Sequence, residues 1–219
     1  PEQGGLFADL TFGGGGHSKA ILESSGKSSL LAMDCDPDAF ERSRELSAQY
    51  PDRFSFFDSS FKNLDKISSP GELDGILMDL GISSFQLMEP EKGFSFRLDA
   101  PIDMRLDPRV GQSAADFLES ASYESLVRAV REYGEERRWR RVVDAIIKHR
   151  GTGKLTRTMS AAEVVSDAVG GRNFRQRIHP ATKTFQGIRI AINGELESLA
   201  VALPKSFRAL KEGGVLAVI

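Results

Sequence analysis

The stretch Gly5-Leu-Phe-Ala-Asp9-Leu-Thr-Phe-Gly13-Gly-Gly-Gly16-His17 decides how this chain folds. Its apolar first half predicts a β-strand, and its four consecutive glycines predict a tight turn. The residues that follow, His17 to Leu22, have the composition of a helix. A strand, a glycine turn and a helix in this order begin a βαβ unit, in which ligands bind at the carboxyl end of the strand.

The same alternation recurs along the chain. Further short apolar runs lie at 29–33, 54–57, 75–78 and 215–219, and segments of helical composition separate most of them. Strands that are short and apolar throughout are typical of a parallel sheet that is covered on both faces. The sequence therefore predicts an α/β fold with an open, doubly wound parallel sheet.

Residues 106–182 interrupt this alternation, because they contain several helical segments without strands between them. We therefore predict a discontinuous α/β domain, formed by residues 1–105 and 183–219, with an inserted helical subdomain at 106–182. Within the insertion, the run Arg137-Arg-Trp-Arg-Arg141 predicts an exposed basic stripe.

Acidic residues end four of the predicted strands: Asp9, Asp34, Asp58 and Asp79. Asp34 lies about 20 residues beyond the glycine turn, where a carboxylate can accept hydrogen bonds from both ribose hydroxyls, which indicates an adenosine cofactor. The turn lacks the G-x-G-x-x-G spacing of dinucleotide-binding loops. Asp9 and Asp79 favour a cofactor with positive charge, so these residues indicate S-adenosylmethionine and leave a nicotinamide-dependent dehydrogenase as the alternative.

Several of these features have a second interpretation. A glycine turn after a strand also occurs as a plain tight connection. Phe61 is expected either beside an adenine or in the core, and Ser83 and Ser84 either near the reacting group or in a strand-end turn. His17, His149 and His179 lack the spacing of a zinc site, so we expect no metal.

Charge is distributed unevenly along the 219 residues. The formal net charge is −2, but residues 1–127 carry −11 and residues 128–219 carry +9. The basic half predicts either a surface for a polyanion or a solvated helical face. One cysteine excludes an internal disulfide, and no apolar run approaches the ~20 residues of a membrane span. We therefore expect a cytoplasmic protein that does not bind membranes.

Several motifs in order along the chain resemble those of the MraW/RsmH family of ribosomal RNA small-subunit methyltransferases. They are Asp9-x-Thr-x-Gly-x-Gly-Gly-His-Ser18, Met33-Asp34-x-Asp36, Asp74-Gly-Ile-Leu-Met-Asp-Leu-Gly-Ile-Ser-Ser84, Gly93-Phe-Ser-Phe96 with Asp103-Met-Arg105, Tyr133-Gly-Glu-Glu136, and Ala181-Thr-Lys-Thr-Phe-Gln186 with Arg189-Ile190 and Asn193. The sequence departs from the family at Phe85, where many relatives have proline, and at Gly187, where alanine is more usual.

The resemblance implies a Rossmann-like methyltransferase fold with a helical insertion, S-adenosylmethionine as cofactor, and methylation of the N4 amino group of a cytidine. It also implies roles for individual residues. Gly15, Gly16 and His17 would form the cofactor loop, Asp34 would hold the ribose, Phe61 would lie by the adenine, and Asp79 and Gln86 would complete the pocket. Ser83 and Ser84 are candidates for binding the reacting amino group.

The substrate that the resemblance implies is small-subunit ribosomal RNA, free or in an assembling subunit, with its target base unpaired or everted. We expect phosphate contacts from Arg97, Arg105, Lys183 and Arg189, with the cluster Arg137 to Arg141 as a more distant electrostatic track. For Arg97 and Arg105 the alternative is an ion pair with a nearby aspartate, Asp99 or Asp103. A catalytically inactive RNA-binding relative remains a further alternative.

Overall fold

The structure is a computed structural model that describes residues 1–171 and 178–219. The chain divides into two compact units, and we describe each by itself. The sheet unit comprises residues 1–85 and 196–219, and the helical unit comprises residues 86–195. Residues 172–177, within the predicted insertion, lie outside the described residues.

Five strands and nine α-helices occur in the described ranges. The strands are β1 (Gly5–Asp9), β2 (Ser28–Asp34), β3 (Phe54–Asp58), β4 (Leu73–Met78) and β5 (Leu210–Val218). The helices are α1 (Gly16–Ser24), α2 (Pro37–Gln49), α3 (Ser84–Met88), α4 (Ala114–Ser120), α5 (Tyr123–Val127), α6 (Trp139–Lys148), α7 (Thr158–Ala168), α8 (Thr182–Asn193) and α9 (Glu195–Ala209). Phe61–Lys66 and Pro90–Lys92 form 3-10 turns, and Arg128–Tyr133 forms a π-helical turn.

The strands of the sheet unit form one parallel sheet in the order β3-β2-β1-β4-β5. The prediction of a doubly wound α/β sheet is therefore confirmed. Chain order runs outward in one direction from β1 to β3 and in the other from β4 to β5. The order reverses between β1 and β4, and ligands of such sheets bind at the carboxyl ends of the strands on either side of the reversal.

Helices cover both faces of the sheet. Neighbouring residues of a strand point to opposite sides, and apolar side chains on both sides are buried under helices. One face packs under α1 and α2, and its buried side chains are Phe7, Phe12, Leu22, Leu30, Ala32, Ala39, Leu46 and Phe54. The opposite face packs under α9 and the first 3-10 turn, and its buried side chains are Ala8, Leu10, Met33, Leu64, Leu73, Ile76, Met78, Ala202 and Ala209. The two cores hold the strand ends in fixed register.

The helical unit has its own apolar core. The fully buried side chains of α5, the π-helical turn and α6 include Leu126, Val130, Val142, Val143 and Ile146, whereas Ile147 is exposed. Helix α8 packs closely on the π-helical turn, since a Cβ on Gly187 would collide with the carbonyl oxygen of Ala129. The glycine at this position, one of the family departures, therefore allows a close approach of two backbones.

The boundaries of the two units differ from the domain boundaries predicted from the sequence, which were residues 106 and 182. Residues 86–105 and 183–195 belong to the helical unit. Long-range hydrogen bonds explain the difference, because the Asn193 side chain donates to Met104 O and accepts from Leu106 N. In addition, the Thr158 side chain accepts from Ala100 N. Within the described residues, no helix is long and apolar enough to cross a bilayer.

Candidate active site

Asp9, at the end of β1, is fully buried and holds the glycine loop. Its carboxylate accepts hydrogen bonds from the Ser18 hydroxyl at 2.6 Å and from Thr11 N at 3.2 Å. Burial raises the pKa of this carboxyl above its ordinary value, and the two hydrogen bonds oppose that rise. Asp9 was predicted to contact the cofactor. In the structure its carboxylate is bonded by residues on either side of the four glycines, and its contact with a cofactor stays a prediction.

The loop itself depends on glycine at particular positions. Gly13 and Gly15 have positive φ values of 52° and 77°, which side chains disfavour. A Cβ on Gly15 would also lie 2.7 Å from the Phe12 ring. At Gly16, the first residue of α1, no described atom lies within 4 Å of the place that a Cβ would take. The loop therefore presents bare backbone to the carboxyl end of the sheet.

Asp34, at the end of β2, is tied to the same loop. Its Oδ2 accepts from Gly13 N at 2.8 Å, and its Oδ1 accepts from Asp36 N at 2.9 Å. Burial raises the pKa of Asp34, and the nearby charge of Asp36 adds to the rise. The backbone N–H of Cys35 also bonds this carboxylate. A carboxylate has about four lone-pair sites, so part of its acceptor capacity remains for a ligand such as a ribose diol.

The loop after β4 joins the glycine loop from the other side. Asp79 N donates to Thr11 Oγ1 at 2.7 Å, and the Asp79 carboxylate lies 3.5 Å from His17 Nε2. Both side chains are about half exposed, at 46% for Asp79 and 52% for His17. Asp79 and His17 therefore form an accessible pair at the first turn of α1, beside the carboxyl ends of β1 and β4.

The predicted serines follow Asp79 in the same loop. Ser83 lies against the glycine loop, since a Cβ on Gly13 would be 3.3 Å from the Ser83 Cβ. Ser84 is exposed and begins α3. The structure thus brings Ser83 to the loop that Asp34 and Asp79 hold.

The sequence reasoning missed Arg42 on α2. Its Nε donates to Gly13 O at 3.0 Å, and its guanidinium lies 3.5 Å from the buried carboxylate of Asp36. The same guanidinium lies 5.1 Å from the ring centroid of Phe85, and that ring packs against Gly14. Arg42 therefore braces the outer side of the glycine loop. Nothing in the sequence pattern indicated this contact, because 29 residues separate Arg42 from Gly13.

Comparison with known proteins identifies the family. The family model described as the MraW methylase family matches residues 1–219 of the chain. The chain belongs to the MraW methylase family. The prediction of family is therefore confirmed.

Curated relatives of this MraW methylase are similar along the whole chain. One, the Ribosomal RNA small subunit methyltransferase H of Thermomicrobium roseum, is 45% identical over 100% of this chain and 68% of its own length. Another protein of the same name, from Syntrophotalea carbinolica, is 44% identical over 100% of this chain and 71% of its own length. A solved rRNA methylase from Streptococcus thermophilus is 18% identical over 36% of this chain and 46% of that protein, with a TM-score of 0.30.

Two other predicted pocket residues, Phe61 and Gln86, have surroundings of their own. Phe61 is half-buried and packs against the core on the α9 face, so the core interpretation has structural support. Gln86 is buried in α3 and belongs to the helical unit. The adenine contact of Phe61 and the pocket role of Gln86 stay predictions.

The four predicted RNA contacts of the methylase differ in their surroundings. Arg105 forms a two-point ion pair with Asp103, at 2.8 and 2.7 Å, as the alternative interpretation held. Arg189 forms a similar pair with Glu195, at 2.8 and 3.0 Å, and both side chains are largely buried. Lys183 is exposed and donates to the carbonyl oxygen of Glu135 at 3.3 Å. The ion pairs already occupy the two guanidinium groups, which disfavours the predicted phosphate contacts of Arg105 and Arg189.

Arg97 is the remaining predicted contact. It is exposed, and no carboxylate among the described residues pairs with it. Asp99 pairs with Arg157, and Asp103 pairs with Arg105, so the ion pair considered for Arg97 does not form. Arg97 and Lys183 therefore keep side chains that a phosphate group can reach.

Proposed function

We propose that this chain transfers a methyl group from S-adenosylmethionine to the N4 amino group of a cytidine in small-subunit ribosomal RNA. The observation that carries the proposal is the joint attachment of Asp34 and Asp79 to one glycine loop at the carboxyl ends of the strands. The relatives named Ribosomal RNA small subunit methyltransferase H support the choice of substrate.

The residues at the strand ends fit this cofactor. Asp34 keeps part of its acceptor capacity for the ribose, and the half-exposed Asp79 carboxylate suits the positively charged methionine portion. S-adenosylmethionine bound there would supply a methyl group on a positively charged sulfur. We propose that Gly15, Gly16 and His17 border that portion, because they lie at the first turn of α1 beside Asp79.

A dinucleotide fits less well. Helix N-termini in dinucleotide-binding sheets hold a pyrophosphate, whose negative charge the backbone N–H groups stabilise. At the first turn of α1, however, the Asp79 carboxylate already lies 3.5 Å from His17. A second anion at this place would be repelled, so we favour the positively charged cofactor over a nicotinamide dinucleotide.

The chain's own contribution to the reaction is positioning. Holding the amino nitrogen in line with the methyl group removes most of the entropic barrier to displacement. The lone pair of a cytosine amino group is delocalised into the ring, and oxygen acceptors that bind its hydrogens favour its localisation. We propose that Asp79, Ser83 and Ser84 supply these acceptors. A base stacked in a duplex cannot reach them, so the target nucleotide must be unpaired or everted.

The test is incubation of the chain with S-adenosylmethionine and small subunits from cells that lack the enzyme, followed by mass spectrometry of the rRNA nucleosides. We expect N4-methylcytidine from the wild type and at least about 100-fold less from Asp79→Asn, the loss expected on removal of one electrostatic group at a reacting centre. The matched control is Asp52→Asn. Asp52 is exposed and precedes β3, so it lies at the amino end of a strand, away from the carboxyl ends that carry the candidate site. Methyl groups on another atom, or none, would contradict the proposal.

A further inference from the structure

Four arginines surround a cavity at the beginning of α6. They are Arg137, Arg138, Arg140 and Arg141, and the cavity has a volume of about 330 Å³. We call this feature the arginine cleft. Binding sites for small organic ligands are lined mostly by apolar side chains. The described lining of the arginine cleft is instead entirely cationic, which favours an anionic ligand.

Three arginines of the cleft lack the carboxylate partner that several other arginines of the helical unit have. Five guanidinium groups of the unit pair with carboxylates: Arg105 with Asp103, Arg109 with Asp107, Arg128 with Glu132, Arg157 with Asp99 and Arg189 with Glu195. In the described part of the chain, Arg137, Arg140 and Arg141 have no such partner. The positive charges of these three side chains therefore repel one another, and a bound anion would reduce that repulsion.

Two contacts give the arginine cleft a defined shape. The Arg138 guanidinium donates to the carbonyl oxygen of Val169, at the end of α7. Trp139 orders its neighbours, because the guanidinium of Arg140 lies 4.3 Å from its ring centroid and that of Arg131 lies 5.4 Å away. Arg138 thus anchors the segment, and the indole restricts Arg140. Less rotamer entropy is lost when a ligand binds groups that are already restricted.

Guanidinium groups recognise phosphate oxygens through pairs of parallel hydrogen bonds, and several adjacent guanidinium groups suit a polymer with regularly repeated phosphates. We propose that the arginine cleft binds the phosphodiester backbone of the RNA substrate. The inference rests on the proposed function for the identity of that RNA. It assigns RNA affinity to Arg137, Arg140 and Arg141, residues of the helical unit for which the proposed cofactor site has no role.

The test compares two triple variants that remove the same charge. The first is Arg137→Gln/Arg140→Gln/Arg141→Gln, in the arginine cleft. The matched control is Arg44→Gln/Arg109→Gln/Arg128→Gln, at exposed arginines that each pair with a carboxylate. Dissociation constants for a protein-free fragment of small-subunit rRNA are measured at several salt concentrations, and calorimetry measures the affinity for S-adenosylmethionine.

For the cleft variant we expect about a tenfold or greater loss of RNA affinity near 0.1 M salt, and a salt slope smaller by about 2 if the contacted RNA is single-stranded. We expect the control to stay within about twofold of the wild type, because its arginines contact no phosphate. Cofactor affinity stays unchanged in both. Replacing the three arginines by lysine preserves charge, so that variant keeps the salt slope and loses only part of the affinity.

Three outcomes would overturn the inference. Equal losses in both triple variants would show that net charge acts without a local site. An unchanged salt slope in the cleft variant would show that no phosphate binds there. Lost affinity for assembled subunits with full affinity for protein-free rRNA would point to an acidic protein as the ligand. The proposed function fails separately, if the wild type methylates no cytidine while its RNA affinity still depends on the arginine cleft.

Discussion

The sheet unit and the helical unit use charged side chains in opposite ways. In the sheet unit, which carries a net charge of −6, the acids Asp9 and Asp34 accept hydrogen bonds from the glycine loop and so shape it. In the helical unit, which carries +4, five of the described arginines pair with nearby acids, but Arg137, Arg140 and Arg141 of the arginine cleft do not. The difference suggests two roles for charged groups. Those with hydrogen-bond or ion-pair partners within the fold stabilise its structure, whereas those without a charged partner are candidates for binding a ligand.

The largest effect on stability is expected from removing the buried acid of the sheet unit. Asp9→Ala leaves the Ser18 hydroxyl and Thr11 N without their acceptor and opens a small cavity. We expect the free energy of unfolding to fall by about 2–3 kcal/mol. Asp9→Asn, which keeps one acceptor oxygen and the side-chain volume, should lose much less. Urea denaturation measures both, and equal losses would show that the hydrogen bonds do not matter.

Asp9 should also make the free energy of unfolding decrease as pH rises. Because burial raises the folded-state pKa of Asp9 above 3.8, the folded state binds its proton more tightly than the unfolded state does. The stabilisation from this proton is complete below 3.8 and is lost as pH rises through the raised folded pKa. Relative to Asp9→Asn, which cannot titrate, the wild type should lose stability as pH rises through that window. A difference that is constant with pH would contradict the assignment.

A smaller effect, on cofactor affinity, should follow from loosening the glycine loop. Arg42→Gln removes the donor to Gly13 O and the guanidinium beside Phe85. We expect S-adenosylmethionine to bind about tenfold more weakly, since a hydrogen bond from a charged group contributes about 1.5–3 kcal/mol. Arg44→Gln, on the same helix and 66% exposed, is the control. Calorimetry on both variants checks this, and equal affinities would show that Arg42 does not support the loop.

The smallest expected effect is on the salt dependence of RNA binding, and it compares the exposed Lys183 with Arg189, which pairs with Glu195. Lys183→Gln should reduce the salt slope of RNA binding by about 0.7–0.9 and weaken binding a few-fold. Arg189→Gln should leave that slope unchanged, because Arg189 is engaged by Glu195, and should instead lower stability. RNA titrations at several salt concentrations measure the difference. If Arg189→Gln reduced the salt slope and Lys183→Gln did not, then Arg189 rather than Lys183 would contact phosphate.

Local patterns in the sequence were enough to predict the sheet and much of the loop cluster. The run Gly5 to Gly16 specifies a strand and a turn through its own composition, and Asp34 and Asp79 follow from the ends of β2 and β4. Contacts between distant segments were not predictable in this way. Arg42 reaches Gly13 only because α2 packs on the sheet, and the attachment of Asn193 to Met104 moved the unit boundary.

Pairing of charges was the other feature that sequence alone left open. Arg189 and Glu195 are six residues apart, on either side of the turn at Gly194, where the backbone adopts a left-handed conformation with φ of 56°. That turn brings the end of α8 and the start of α9 together and so closes the ion pair. A count of basic residues cannot separate such a pair from the unpaired groups of the arginine cleft.

The central claim is that acids at the ends of successive parallel strands hold the cofactor, with Asp34 on the ribose. Calorimetric titration of S-adenosylmethionine into the wild type and into Asp34→Asn tests this most directly. We predict that the wild type binds and that the variant binds at least about tenfold more weakly, because one charged acceptor is lost. Equal affinity for the two proteins, or binding of a nicotinamide dinucleotide in place of S-adenosylmethionine, would contradict the account.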